Sequence, residues 1–158
     1  MKRLLLVALA LVIVAGGLVA WRVLDARAER LAAEGSRSGS ADVIFPGDYT
    51  PSETEQAWID GHAAEAGAWV RKFDGWRMVL VTMGEKPTGG YAVEVVTAAR
   101  SAGGWVIDVR FVSPKPGDIV TQVLTYPYGF VKVPDDGLAV VVRDVTGDEP
   151  VELKVVGE

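Results

Sequence analysis

The chain has 158 residues, with 16 Lys and Arg against 21 Asp and Glu, one His and no Cys. The lack of cysteine excludes a thiolate nucleophile, a disulfide framework and a lipid-modified cysteine, and one histidine cannot form a multi-histidine metal site. Residues 41–158 carry 10 basic and 18 acidic side chains, and this net of eight negative charges disfavours nucleic-acid binding. We therefore expect no metal site, no cofactor and no nucleic-acid partner.

An uncharged run of 18 residues, 4–21, follows two basic residues near the start of the chain. At about 1.5 Å of rise per residue, a helix of this run spans roughly 27 Å, close to a bilayer core. We interpret residues 1–21 as a single-pass signal anchor, because the run continues to the interfacial side chain Trp21. The alternative is a signal peptide cleaved at the small residues inside the run. Both interpretations export the rest of the chain, which is secreted if the segment is cleaved.

Residues 22–40 are predicted to connect this segment to an exported domain. Their first part, 22–34, is rich in helix formers with mixed charge and is typical of a solvated helical stalk. The remainder, 35–40, is small and polar and is typical of a flexible linker. The exported domain is therefore assigned to residues 41–158.

The exported domain begins with a helix signal. Ser52 can cap a free backbone N–H, and Glu55, three residues later, can complete a capping box. The apolar residues that follow suit a helix lying on a sheet, although Gly61 and Gly67 weaken it. The pattern predicts a helix that ends near residue 70.

After residue 75 the apolar residues alternate with a period of two, which is typical of strands. Turn-forming sequences rich in Gly, Pro and Asp separate the alternating segments. Seven short strands with close turns favour a mainly β fold, an antiparallel β-sandwich or open barrel with one packed N-terminal helix. The predicted strands are 76–83, 91–98, 105–112, 119–126, 128–133, 138–145 and 151–156.

Few side chains are candidates for catalysis. His62 has two carboxylates nearby, but a solvated helix face is the favoured interpretation because no other ligand has fixed spacing to it. Asp108, Asp118 and Glu94 could supply a carboxylate-based hydrolase, although charged residues on strands generally face water. We predict no catalytic residue and a protein that is not an enzyme, with an envelope hydrolase as an alternative.

Two connections have compositions that suit a binding surface. The first sets a rigid proline beside two glycines, so another backbone can approach closely, and ends in an aromatic residue. The second sets tyrosines around a proline that cannot donate to a sheet. From spacing alone, a tight turn and core packing of the aromatics explain both connections better than binding does. The candidate partner-binding residues are Lys86, Pro87, Thr88, Gly89, Gly90 and Tyr91 in the first and Tyr126, Pro127 and Tyr128 in the second.

These two segments resemble the PrcB-like C-terminal domain family, named for an accessory subunit of a bacterial cell-surface protease complex. The Pro-Thr-Gly-Gly-Tyr run and the later Tyr-Pro-Tyr carry the resemblance, which covers roughly residues 76–134. It implies an exported, non-catalytic domain that binds a partner protein, such as a protease or another member of its complex. In this chain no cysteine follows the apolar run, so the lipid anchoring of the founding member cannot occur.

A weaker similarity is to chagasin-type inhibitors of cysteine proteases, which are immunoglobulin-like sandwiches with binding loops at one end. Residues 86–91 and 126–128 are similar to two of those loops. The similarity implies that both segments lie at one end of the sandwich and form a single protein-binding edge. Protease inhibition through the same loops is therefore an alternative function.

Overall fold

The computed structural model describes residues 43–157. In this range a short 3-10 turn, Pro46–Asp48, and one helix, α1 (Glu53–His62), precede the strands. The predicted anchor, stalk and linker lie outside the described residues, and no helix within 43–157 is long and apolar enough to cross a membrane. The strands are β1 (Ala66–Phe73), β2 (Trp76–Met83), β3 (Ala92–Ser101), β4 (Gly104–Val112), β5 (Tyr128–Pro134), β6 (Ala139–Asp144), β7 (Val151–Leu153) and β8 (Val155–Gly157).

The strands form two four-stranded sheets that share a core. The first has the order β5-β2-β1-β8 and the second the order β3-β4-β6-β7. A mainly β fold with one packed helix is therefore confirmed. The prediction of purely antiparallel sheets was wrong, because β1 pairs with β8, and β4 with β6, in parallel. β6 and β8 are each reached from a strand of the other sheet, so no hairpin forces them to run antiparallel to their neighbours.

The predicted helix extends too far. The observed helix α1 ends at His62, and residues 66–73 form strand β1, which was not predicted. Ala68 packs in the core between the sheets, whereas the neighbouring Trp69 packs beneath α1. A strand covered on both faces has consecutive apolar residues, and such a run is hard to distinguish from a buried helix by periodicity.

Five of the predicted strands are confirmed with small shifts in their ends, and two are corrected. Residues 119–126 are not a strand, because the chain has no helix or strand from 113 to 127. The predicted strand 151–156 is two strands, β7 and β8, which belong to different sheets and are separated only by Lys154.

The first sheet is buried on both faces. One face packs against the second sheet in a core that includes Val79, Val131 and the fully buried Trp105. The other face packs against α1, through Leu80 and Phe130 among others. The central strand β2 consequently sends alternate apolar side chains into two separate cores.

A lysine lies on the helix-facing side of β5. Lys132 is 5% exposed, and its Nζ lies 2.7 Å from Oε1 of Glu55, which is 2% exposed. The Tyr49 hydroxyl accepts from Lys132 at 3.0 Å and donates to the second carboxylate oxygen at 2.7 Å. The backbone N–H of Ser52 donates to that same oxygen at 2.8 Å, and the predicted capping box is confirmed. Glu55 therefore both caps α1 and joins it to the sheet.

These contacts keep both groups charged. Burial disfavours the charge on Glu55, but the hydrogen bonds from Lys132, Ser52 and Tyr49 outweigh it and lower the pKa of the carboxyl to about 2. Burial also disfavours the charge on Lys132, and its bonds to Glu55 and Tyr49 outweigh that effect and raise its pKa. The pair is ionised at neutral pH.

The end of the sandwich at which β2 begins is closed by a buried arginine. The Arg77 guanidinium donates to the backbone oxygen of Leu138 and, at 2.9 Å, to Oδ1 of Asp136. The indole N–H of Trp105 donates to the other oxygen of Asp136 at 3.0 Å. Hydrogen bonds from the guanidinium and the indole to Asp136 therefore take the place of apolar packing at this end of the sandwich.

We expect the free energy of unfolding to fall as the pH decreases from 4.5, the ordinary pKa of a glutamate, to about 2, the pKa of folded Glu55. The folded state binds this proton less readily than the unfolded chain, so the stabilisation is complete above pH 4.5 and disappears as Glu55 protonates. Glu55→Gln should lower the free energy of unfolding at neutral pH by about 3–5 kcal/mol, because Lys132 stays buried without its counter-charge. Urea denaturation across this pH range measures both effects.

Two variants control for general damage to the helix. Glu53→Gln changes an exposed glutamate in the same turn of α1 and should alter stability by less than about 0.5 kcal/mol. Glu55→Gln combined with Lys132→Met removes both charges and should recover most of the loss. If Glu55→Gln is as stable as Glu53→Gln, the assigned role of the ion pair is wrong.

A second prediction concerns the close approach of β3 and β5. A Cβ on the buried Gly129 would lie 2.8 Å from the backbone oxygen of Val93, which is too close for a carbon atom. Gly129→Ala should lower the free energy of unfolding by about 1–3 kcal/mol. Gly147→Ala is the matched control, because no heavy atom lies within 4 Å of its Cβ position. Equal effects of the two substitutions in thermal denaturation would contradict this packing.

Candidate functional site: the paired loops

Two loops lie side by side, one that follows β2 and one that precedes the neighbouring strand β5. Lys86 in the first and Thr125 in the second exchange two backbone hydrogen bonds, each of 2.9 Å. We call residues 84–91 and 119–128 together the paired loops. All nine predicted binding residues belong to this surface, so the structure brings the two segments together as the similarity to inhibitor loops implied.

Further hydrogen bonds fix the paired loops to each other. The Thr125 hydroxyl donates to the backbone oxygen of Thr88 at 2.8 Å. The Tyr126 hydroxyl donates to a carboxylate oxygen of Glu85 at 2.9 Å, and this negative neighbour raises the pKa of Tyr126. The N–H of Met83 donates to the backbone oxygen of Pro127 at 2.9 Å, continuing the pairing of β2 with β5. The loops therefore form a defined surface, although only Tyr128, the first residue of β5, belongs to a regular strand.

The two glycines let one loop approach the other. Gly90 has a φ of +86°, a conformation that favours glycine, and its Cβ would lie 2.8 Å from Cγ1 of Val120. Gly89 donates its N–H to the backbone oxygen of Thr121 at 2.9 Å, and a Cβ there would overlap the Thr121 hydroxyl. The close approach predicted at these glycines is therefore made by the chain itself.

The tyrosines of the second loop are exposed. Tyr126 and Tyr128 are 42% and 37% exposed, whereas Phe130, two residues further on, is buried under α1. Core packing therefore explains the phenylalanine but not the two tyrosines. Tyr91 is half-buried, and its ring centroid lies 5.8 Å from Nζ of Lys86. The two tyrosines of the second loop are therefore exposed, whereas Tyr91 contacts Lys86 within its own loop.

The sequence patterns missed three apolar residues of this surface. Ile119, Val123 and Leu124 are 103%, 58% and 59% exposed. Together with the two tyrosines, they make five of the seven large apolar side chains that are exposed within residues 43–157. They were predicted to lie in a strand because their period resembles one. A long irregular loop that carries such residues is typical of a binding segment.

The histidine is not on a solvated helix face, contrary to the prediction. His62 is half-buried, with its ring centroid 5.2 Å from that of Trp58 and 4.9 Å from that of Trp69. Its Nδ1 lies 2.8 Å from the backbone oxygen of Trp58. Within residues 43–157 no group of three or more His, Asp or Glu side chains could hold a metal ion.

The three candidate carboxylates each have a structural contact. Asp108 accepts from Nε and Nη2 of Arg143 at 2.7 and 3.0 Å. Glu94 lies 3.6 Å from Arg110 on the neighbouring strand, and Asp118 accepts the N–H of Lys115 within a turn. Each carboxylate thus stabilises its own strand pair or turn.

The fold defines a β-sandwich domain whose paired loops are joined by backbone hydrogen bonds and carry most of the exposed large apolar side chains within residues 43–157. The family model described as PrcB C-terminal matches residues 78–134, a stretch that begins within β2, ends with β5 and includes both paired loops. The resemblance to that family is confirmed for this stretch. No curated protein and no solved structure matches the chain.

We expect Gly90→Ala to loosen the paired loops, because an L-residue is strained at a φ of +86° and its Cβ would press on Val120. The amide hydrogens of Lys86 and Thr125 should then exchange with solvent about tenfold faster. Gly103→Ala is the control, since nothing lies within 4 Å of its Cβ position. Identical exchange rates in the two variants, measured by NMR, would show that the glycine does not hold the loops together.

Proposed function

We propose that the protein is a non-catalytic accessory component of an extracytoplasmic protease or envelope complex and binds a partner protein through the paired loops. The observation that carries this proposal is the concentration of exposed apolar side chains on those loops. Protein interfaces are enriched in aromatic residues, and an apolar patch on a monomer surface commonly marks such an interface. Loops already fixed by hydrogen bonds also lose less conformational entropy when they bind.

The family match supports the same function. It spans both paired loops, so the matched stretch includes the exposed tyrosines as well as the strands that carry them. The PrcB-like family resemblance implies a domain that supports a partner in a protease complex. The contacts of His62 and of the candidate carboxylates with their own strands and helix are compatible with a domain that does not catalyse a reaction.

For the position of the protein in the cell, we propose that residues 1–21 anchor it in the membrane. Residues 22–40 would then act as a stalk and linker that carry the exported domain. The support for this proposal is the uncharged run at 4–21 and the polar, glycine- and serine-rich composition of 35–40. Sequencing the N-terminus of the mature protein distinguishes an anchor from a cleaved signal peptide.

Protease inhibition by the same loops is the second candidate. The observation that favours it is that residues 86–91 and 126–128 lie together, as in the inhibitors they resemble. Titration against papain separates the two functions. An inhibitor abolishes the hydrolysis of a small peptide substrate at stoichiometric concentration, whereas an accessory protein leaves it unchanged.

We expect the double substitution Tyr126→Ala and Tyr128→Ala to reduce recovery of the partner about tenfold or more, because two exposed aromatic anchors are lost. The full-length protein is cross-linked in its own membranes and purified, and its partners are quantified by mass spectrometry. A protease or another subunit of an envelope complex should be recovered with the wild type.

The matched control is Val151→Ala, which truncates an exposed apolar residue on β7 outside the paired loops. It should leave the recovered partners unchanged. Both variants should unfold within a few degrees of the wild type, since the substituted side chains are exposed. Equal recovery by the double variant and the control would exclude the paired loops as the binding surface.

A further inference from the structure

A cleft of about 610 Å³ opens at the end of the sandwich where β2 ends and β1 begins. Its apolar lining comes from both sheets and includes Met83 of β2, Phe111 of β4, Leu153 of β7 and Val156 of β8. The volume lies within the range of ordinary ligand sites. Of the predicted binding residues, the cleft contains only Lys86, so most of it is separate from the paired loops.

Two lysines line the cleft. Lys86 and Lys154 form no ion pair within residues 43–157. One acidic residue, Glu65, also lines the cleft, so the lining has a net positive charge. This is unusual in a domain whose residues 41–158 carry eight more acidic than basic side chains. The charge of the lining complements an anionic group.

The cleft also contains a short open sheet edge. β8 pairs with Ala68, Trp69 and Val70 of β1, but within residues 43–157 no strand takes its place beside Ala66 and Gly67. These two residues pair with β2 on their other side and line the cleft. The edge is open because the chain before β8 leaves the first sheet and enters β7. An extended peptide can add to such an edge.

The position of β8 restricts how a peptide can bind. A peptide bound beside Ala66 and Gly67 lies in line with β8 and meets the start of β8 at Val155. The peptide chain therefore has to end at that point. Lys154 immediately precedes Val155, and a positive charge at this point favours a C-terminal carboxylate over an N-terminal amine. The apolar lining offers room for a side chain next to that terminus.

We propose that the cleft binds the C-terminus of a partner protein, which adds as a short strand beside Ala66 and Gly67. An apolar side chain of that terminus enters the cleft. The terminal carboxylate lies next to Lys154, and Lys86 adds positive charge to the same cleft. The inference rests on the proposed function only in taking the ligand to be a protein.

An array of hexapeptides with varied apolar residues at the last two positions tests the proposal. Each peptide is synthesised with a free C-terminal carboxylate and with a C-terminal amide, and the array is probed with the labelled full-length chain in phospholipid nanodiscs. The strongest pair is then titrated by fluorescence anisotropy. The carboxylate form should bind at least about tenfold more tightly than the amide, since charge-assisted hydrogen bonds are lost with the carboxylate.

Matched variants locate the site. Lys86→Gln and Lys154→Gln should each weaken binding of the carboxylate peptide and leave binding of the amide peptide unchanged. The control is Lys115→Gln, at a lysine that also has no ion pair within 43–157 but lies outside the cleft, and it should have no effect. Val156→Glu should abolish binding, and Val151→Glu, at another exposed valine that lies outside the cleft, should not.

Three outcomes would overturn the inference. The first is equal binding of carboxylate and amide peptides across the array, and the second is an equal effect of Lys154→Gln and Lys115→Gln on peptide binding. The third is lysine-dependent binding of palmitate without any peptide binding, which would assign the cleft to an anionic amphiphile. The variant with both Tyr126→Ala and Tyr128→Ala should still bind the peptide. Failure of the paired-loop proposal is thereby distinguishable from failure of this one.

Discussion

The ion pair between Glu55 and Lys132 joins α1 to the first sheet, which is covered on both faces. β5 packs against the second sheet on one side and against α1 on the other, so the lysine between them cannot reach water. Desolvation of such a pair is costly, and removing one partner leaves the other charge buried without its counter-charge. Any position of α1 that moved Glu55 away would leave a buried charge without a partner. The hydrogen bonds from Tyr49 and Ser52 hold the carboxylate in that position.

The position of the paired loops follows from the pairing of β2 with β5. Thr82 near the end of β2 lies opposite Tyr128 at the start of β5, so the segments beyond these residues leave the sheet as neighbours. Backbone hydrogen bonds from Met83 and Lys86 extend the contact past the regular strands. The glycines at 89 and 90 then keep the loops close where a side chain would separate them.

The two ends of the sandwich differ in chemistry. At the end where β2 begins, the guanidinium of the buried Arg77 donates to the carboxylate of Asp136, which also accepts from Trp105. At the other end the cleft is open, and Lys86 and Lys154 form no ion pair within 43–157. The exposed apolar residues of the paired loops lie between β4 and the first residue of β5, and β5 begins at the end where β2 ends. The surfaces available for binding are therefore concentrated at the open end.

Local patterns in the sequence were sufficient for features that depend on neighbouring residues. They predicted the capping box at Ser52, five of the strands and the unusual character of residues 86–91 and 126–128, because alternation, capping and turn chemistry act over a few positions. They failed at β1, whose two buried faces remove the alternation that marks a strand. They also failed at the irregular loop 113–127, where exposed apolar residues imitate a strand.

Other features depend on residues that are far apart in the chain, and only the tertiary structure decided them. Glu55 and Lys132 are 77 positions apart, and nothing near either residue indicates its partner. The parallel pairing of β1 with β8, and the cleft beside it, result from the chain crossing between sheets at Lys154. The contact between the paired loops requires β2 and β5 to be neighbours. The sequence determined which segments could form strands and loops, whereas burial and backbone pairing across the whole domain determined which of them meet.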